Sequence, residues 1–557
     1  MPLFTTLAAA PTLAASTLAA STGRGMGGLD WAVVAVYLLV LLVSGIWMAR
    51  REPEGAREYF VASRRMPAWA VGFSIIASSL SVATFIGAPQ QSYAGDLSYL
   101  STNIGGVLAI IVVAIFFIPA FYKANVTTVY ELLEQRLGRG AKHAASAAFM
   151  VGRVFASGAR VYIAAIPLAM ILFGTDKADD PASLAIAIVV LSFVAVVYTL
   201  IGGIASVIWT DVVQVIVLLG AVLAAIGIIT SRIPVPLADV WTTLQTSGPD
   251  GTSKLTVFKS GFLPAAAGGG GGGIDWSASY TVLTALVGFS LLNLASYGTD
   301  HDMVQRMLTC KTAVKGGRSA FIAICMGIPI VAVFLAIGLL LHIFYQRPDL
   351  MGAASPTTPP VSSDRVFLAF ILQELPAGLS GVMVAGIFAV GLGSLNSAIN
   401  AMAATLVRDF YTNIVPGRTD RHYLSAGRWA TVGWGFVLAG FAVACIFWKR
   451  SAPDTKLIDF ALGVMNFAYS GLLAVFLCAI FTRRGNSASA VASLLTGFVT
   501  VLLLQPAVWK WWTAMLPIAN AADIAAFNLA FPWHMLIATS LAFAVCCMGR
   551  RPANVAP

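Results

Sequence analysis

Thirteen stretches of this chain stay apolar for about 20 residues or more, the length a helix needs to cross a ~30 Å hydrocarbon core. They lie near 29–49, 68–88, 102–122, 145–173, 182–203, 204–231, 275–299, 317–345, 378–407, 424–448, 457–482, 487–509 and 532–549. No other feature narrows the fold as far. In lipid each backbone N–H and C=O must be satisfied within its own segment, so such stretches become helices. The expected class is therefore all-α integral membrane. Composition agrees, with 58% hydrophobic and 10% charged residues, against about 45–50% and about 25% in soluble domains.

The net charge of +10 would point to nucleic acid in a soluble chain. Here the basic residues cluster between spans, so their counterpart is the lipid bilayer and no nucleic-acid partner is expected. Connections after odd-numbered spans, the C-terminus included, hold 21 Lys and Arg, the opposite side holds 11, and two lie inside a span. That bias predicts an N-terminus outside and a C-terminus in the cytoplasm, in the plasma membrane of a bacterium-like cell.

Six domains follow from these boundaries. Residues 1–28 read as a disordered Ala/Thr/Ser tail or as sequence ahead of a true start at Met26, and 29–49 as an extra N-terminal span. Blocks 68–231 and 275–482 are joined by an outside linker, 232–274, which contains a run of glycines. Residues 483–557 add two spans and a short tail. The six cysteines show no metal-ligand or disulfide spacing, and no histidine stands near a nucleophile motif, so neither a zinc site nor an intramembrane enzyme is expected. The sequence given ends eight residues after its last span, without a sensor's output domain.

The polar residues inside spans carry the functional signal. The second span, "FSIIASSLSVATFIGAPQQSYAG", holds Ser78, Ser79, Ser81, Thr84, Gly87 and Pro89. A straight lipid-facing helix has no use for so many hydroxyls. A helix interrupted near its middle does, because unwound backbone is tolerated at depth only where it lines a cavity. The seventh span carries a similar cluster, Asn293, Ser296 and Tyr297, and runs the opposite way. Two interrupted helices of opposite direction, each opening a block of about five spans, mark an inverted five-plus-five repeat.

Asp211 sits in the oily sixth span, where an ionised carboxylate costs roughly 2.5–3.5 kcal/mol. It either holds a cation, takes up a proton, or serves as an ion pair or helix cap. Arg153 and Arg160 are seven apart on the fourth span, two turns along one face. Arg153 is near enough to the span's end to snorkel. Arg160 is deeper and calls for an anionic solute group, a pair with Asp211, or backbone carbonyls.

"SVATFIGAPQQSYAGDLSYL", "GGIASVIWTDVVQVIVLLG", "NLASYGTDHDMVQRML" and "GLGSLNSAINAMAATLVRDFY" together resemble the sodium:solute symporter family over roughly residues 29–485. The resemblance implies a LeuT-like fold of about 13 transmembrane helices, and symport of a small organic solute with Na+ as coupling ion and no organic cofactor. A proton-coupled transporter of the same fold is the alternative, and a monomer or weak homo-oligomer the expected state. Sodium, a hard cation, wants oxygen ligands. The family's shared sodium site carries over to the carbonyls of Ala77, Leu80 and Val390 and to Gly393 and Ser394. Gly393 stands where most relatives have a hydroxyl, so this site is one side-chain ligand short. A second sodium site carries over to Asp211, Ser394, Asn396 and Ser397. Solute contacts carry over to Ser79, Thr84, Asn103 and Ser296, with Arg160 the expected anchor for an anionic or carboxylate solute. Ser296 stands where the sugar carriers have a large aromatic, which argues against a sugar.

Overall fold

The structure, a computed structural model, describes residues 26–49, 64–174, 177, 179–201, 204–248, 251–263, 273–356, 363–451, 455–515 and 529–551. Residues 1–25 of the expected tail and 264–272 of the Gly-rich linker fall outside them. Every regular element among the described residues is a helix.

The first helix, α1 (Gly28–Ala49), precedes a broken pair, α2 (Ala68–Ser79) and α3 (Val82–Ala94), bent by 66°. Spans α4 (Ser98–Lys123), α5 (Arg139–Phe173), α6 (Pro181–Ile201) and α7 (Ile204–Arg232) follow. A second broken pair, α8 (Val282–Gly298) and α9 (His301–Leu308), bends by 56°. Next come α10 (Ala313–Gln346), the short α11 (Val366–Gln373), α12 (Leu379–Ile414), α13 (Asp420–Ser451) and α14 (Leu457–Phe481). A third bent pair, α15 (Ser487–Leu503) and α16 (Pro506–Thr513), and the last span α17 (Phe531–Met548) complete the chain. Both segments marked by polar clusters thus belong to broken helices.

Helices α5, α12 and α14 are the most enclosed, with 83%, 89% and 83% of their apolar windows buried. They form the inner wall, which explains why the polar residues of α5 and α12 are retained. Several boundaries differ from the sequence reading, among them the fourth span, which begins at Arg139 rather than 145, and the ninth, which runs to Ile414 rather than 407. The seventh span begins at Val282 rather than 275, because the Thr281 side chain accepts from the Thr284 N–H and closes a capping box. Its break falls at Thr299–Asp300, after the Asn293–Tyr297 cluster. The twelfth span stops at Leu503 instead of 509. Pro506, in the first turn of the next helix, cannot donate to the preceding turn, and the chain swings through 81°.

Two contacts set the packing around the wall. Asp30 of α1 accepts hydrogen bonds from Gly378 N–H (2.7 Å), Ser380 Oγ (2.6 Å) and Gly381 N–H (3.0 Å), satisfying donors at the N-terminus of α12. A Cβ at Gly381 would stand 2.7 Å from the Asp30 carbonyl, so only glycine lets α1 approach so closely. Likewise a Cβ at Gly338 of α10 would meet Ser92 Oγ of α3 at 2.1 Å, and Ser92 donates to the Leu335 carbonyl across that seam.

Candidate cation and solute pathway

The break between α2 and α3 exposes backbone at depth. Leu80 and Ser81 are both extended (φ −68°, ψ 118° and φ −117°, ψ 168°). Thr84 N–H, which in an unbroken helix would donate to the Leu80 carbonyl, donates to the Ser81 carbonyl at 2.9 Å instead. The Leu80 oxygen is thereby released from its helical donor. Facing this break, a Cβ on Gly391 of α12 would touch Val82 and Ala164 at 3.3 and 3.5 Å, so α12, α3 and α5 converge beside Val390.

Below the break lies a buried ionic network. Asp211 Oδ2 accepts from Ser74 Oγ of α2 at 2.6 Å and lies 3.4 Å from Arg306 Nη2 of α9. Arg306, fully buried, also donates to Ser74, to Ser397 of α12 and to Asp302. Asp302 in turn meets Arg153 Nη2 at 2.6 Å, and Arg153 reaches Asp300 at 2.9 Å, where the Tyr469 hydroxyl also donates. Ionised, two guanidinium groups face three carboxylates within hydrogen-bond distance, so the directly bonded cluster carries one net negative charge, with Arg160 the next cation, acting on Asp300 and Asp302 from farther off. A single monovalent cation would balance it.

Asp211 Oδ1 takes neither Ser74 nor Arg306. It lies 3.5 Å from where a Cβ on Gly393 would stand, and Gln214 Oε1 lies 2.7 Å from the same point. Two acceptor oxygens therefore converge on the bare side of Gly393. The expected cation residues divide accordingly. Asp211, Gly393 and Ser397 come together with Gln214 and Ser74. Ser394 Oγ donates back to the Gly391 carbonyl (3.1 Å), and Asn396 Oδ1 accepts from Thr199 of α6 (3.0 Å), so neither reaches Asp211 here.

The solute residues are marked by exposure. Thr84 is the one residue between Leu80 and Tyr93 that is not fully buried, and Arg160 the one between Ala156 and Met170. Gly391 is the one between Met383 and Thr405, while Ser79 and Ser296 also stand half-buried beside fully buried neighbours. Ser79 Oγ donates to the Ile76 carbonyl at 3.0 Å, and the Tyr297 hydroxyl lies beside Ser79 and Arg160. Arg160 hydrogen-bonds Met465 Sδ at 3.8 Å, and no described carboxylate lies within ion-pair distance of it, while Asp300 and Asp302 act on it from farther off. Asn103 turns back to the Leu100 carbonyl of its own first turn (2.9 Å).

Ser74, Asp300, Tyr469, Asp302, Arg306 and Gln214 escaped the sequence reading. Arg306 and Asp302 lie in the stretch "NLASYGTDHDMVQRML" without an assigned role, although its spacing puts them i, i+4 on one helical face. Gln214 lies three residues from Asp211 on the face that meets α12. Arg153, expected to snorkel, is instead 2% exposed between two carboxylates, because α9 folds beneath it.

Residues 59–497 match the Sodium:solute symporter family. The chain is 27% identical to the sodium/sialic acid symporter of Aliivibrio fischeri over 87% of its own length and 89% of that protein. It is 28% identical to the human sodium/iodide cotransporter, over 86% and 69% of the two chains. It is 25% identical to the sodium/glucose cotransporter of Vibrio parahaemolyticus, over 86% of each. A solved structure of a Na+-coupled sialic acid symporter, substrate-bound and outward-open, superposes with a TM-score of 0.74 at 24% identity, covering 94% of this chain and 97% of the other.

Proposed function

The chain belongs to the sodium:solute symporter family, and from that premise we propose that it imports a small organic carboxylate, with Arg160 as the anchor for the carboxylate group. It is a multi-pass, sodium-coupled symporter and not an enzyme. The half-buried guanidinium of Arg160, hydrogen-bonded to no described carboxylate, carries the solute assignment. A buried guanidinium is costly to leave unpaired and matches a carboxylate in bidentate geometry. Ser79, Thr84 and Ser296 supply neutral hydrogen-bonding groups along the same pathway. The sialic acid relatives, whose names specify an anionic solute, support this reading.

Sodium enters from the outside, at the broken-helix carbonyls of Ala77 and Leu80 with Val390 and Ser394 opposite. It passes to the oxygens of Asp211 and Gln214. The blocks 68–231 and 275–482 act as the two inverted halves, and the basic ends of the bundle face the cytoplasm. Cation binding neutralises the excess charge beside α2 and α9, which biases the two broken helices toward the arrangement that releases solute inward.

The solute assignment is tested in proteoliposomes with an imposed sodium gradient, supplying carboxylates, sugars and neutral amino acids. Carboxylate uptake is expected, and Arg160→Ala should lower it at least about tenfold, as loss of a charge-assisted pair implies. Uptake of neutral sugars alone would reject the anchor. The role of Gln214 has its own test. Gln214→Ala should weaken apparent sodium affinity severalfold, and adding Gly393→Ser should recover much of it, since the serine hydroxyl enters the space the amide oxygen vacates. Additive losses in the double variant would mean that Gln214 is only packing.

A further inference from the structure

At the basic end of the bundle the starts of α2 and α10 border a cavity of about 780 Å³. Five cationic side chains line it: Arg64, Arg65, Lys311, Lys315 and Arg318. No acidic residue is among the lining residues. Arg65, Lys311, Lys315 and Arg318 are exposed, and Arg64 lies with its guanidinium 5.0 Å over the Tyr122 ring, a contact that leaves its charge unneutralised. At the cavity floor Met66 N–H donates to the Thr309 carbonyl at 3.1 Å, clipping the start of α2 to the end of α9. The N-termini of α2 and α10 flank this floor, and their dipoles add to the positive potential.

We propose that this cavity binds the phosphate headgroup of an anionic phospholipid from the surrounding leaflet. Five like charges gathered with no acidic residue among the described lining repel one another, and an anion relieves that repulsion. The apolar surroundings select lipid over a free anion. Trp69, 48% exposed, forms one wall and packs edge-on against Trp209 at 5.6 Å, the arrangement of an aromatic belt at headgroup level. Phe321 of α10, exposed three residues beyond Arg318, adds apolar surface past the basic rim, where acyl chains would lie. Basic pockets between transmembrane helices at this level suit phospholipid headgroups. The site is separate from the solute pathway. It sits at the foot of α2, the half-helix that carries Ala77 and Leu80.

Native mass spectrometry of the full-length protein in detergent, titrated with phosphatidylglycerol or phosphatidylcholine, tests the proposal. Wild type is expected to retain phosphatidylglycerol at least about tenfold more tightly than phosphatidylcholine, a preference that each basic residue near the surface increases. Arg65→Gln, Lys311→Gln, Lys315→Gln and Arg318→Gln combined should abolish the preference. A control with Arg418, Arg421, Arg483 and Arg484, all exposed, changed to Gln should keep it. Equal loss in both variants would mean a diffuse basic surface and overturn the site. So would an unchanged preference in the first variant. Displacement of the lipid by glycerol 3-phosphate alone would assign the cavity to a free phosphate and overturn the lipid source. Should the fourfold variant fail to fold, Lys315→Glu alone is expected to weaken phosphatidylglycerol retention severalfold, and no change there would equally reject the proposal.

Discussion

Arg306→Gln is expected to unfold far below the wild type, or to yield little folded protein. Arg306 is fully buried and forks to four partners on three other elements and its own: Ser74, Asp211, Ser397 and Asp302. Removing one member of a buried charge network costs about 3–5 kcal/mol, because the carboxylates left behind lose their donor without regaining water. Domains are stable by only about 5–15 kcal/mol, so that loss is a large share. The net charge of the cluster would pass from one negative to two. The compensating variant Arg306→Gln/Asp302→Asn returns it to one and should recover most of the thermal midpoint. Arg306→Lys should recover less, since an ammonium cannot bridge four oxygens from one planar fork. Thermal unfolding of the detergent-solubilised variants measures this, and equal midpoints for the single and double variants would show that charge balance does not govern the network.

How much of this was legible beforehand follows from the range of each interaction. Spans are local: about 20 apolar residues in a row announce themselves, and so did the hydroxyl-rich second segment that breaks at Leu80–Ser81. Asp211 was legible as an anomaly because its cost in lipid depends only on its neighbours in sequence. Its partner was not. Arg306 lies 95 residues away, and only the fold of α9 beneath α5 and α12 brings it to the carboxylate. The same fold turned Arg153 from a snorkelling residue into a buried one. Gly393 could be read as a missing ligand, but what fills the space beside it is a side chain from another helix, and a single chain's pattern gives no distance between helices. The lipid-facing cavity was half legible: its lysines and arginines entered the charge count, while their convergence depends on the Met66–Thr309 clip.

Asp211→Asn separates electrostatics from packing at the cation pathway. Asparagine keeps an acceptor for Ser74 and Arg306, so the protein is expected to remain folded with a midpoint close to wild type. The directly bonded cluster then holds two cations against two carboxylates, and needs no mobile cation beside residue 211 to balance it. Apparent sodium affinity for uptake should fall at least about tenfold, equivalent to roughly 1.4 kcal/mol of lost binding. Ser394→Ala is the contrast. Its hydroxyl already donates to the Gly391 carbonyl and does not touch Asp211, so at that residue only the upper, backbone-carbonyl site is disturbed. A loss of two- to threefold is expected there, in line with a single neutral ligand. Sodium titrations of uptake on the two variants give opposite rankings for the two placements of the ion. If Ser394→Ala is the more damaging and Asp211→Asn leaves sodium dependence intact, the negative charge between α7 and α9 is structural, and coupling resides wholly at the break in the first broken helix.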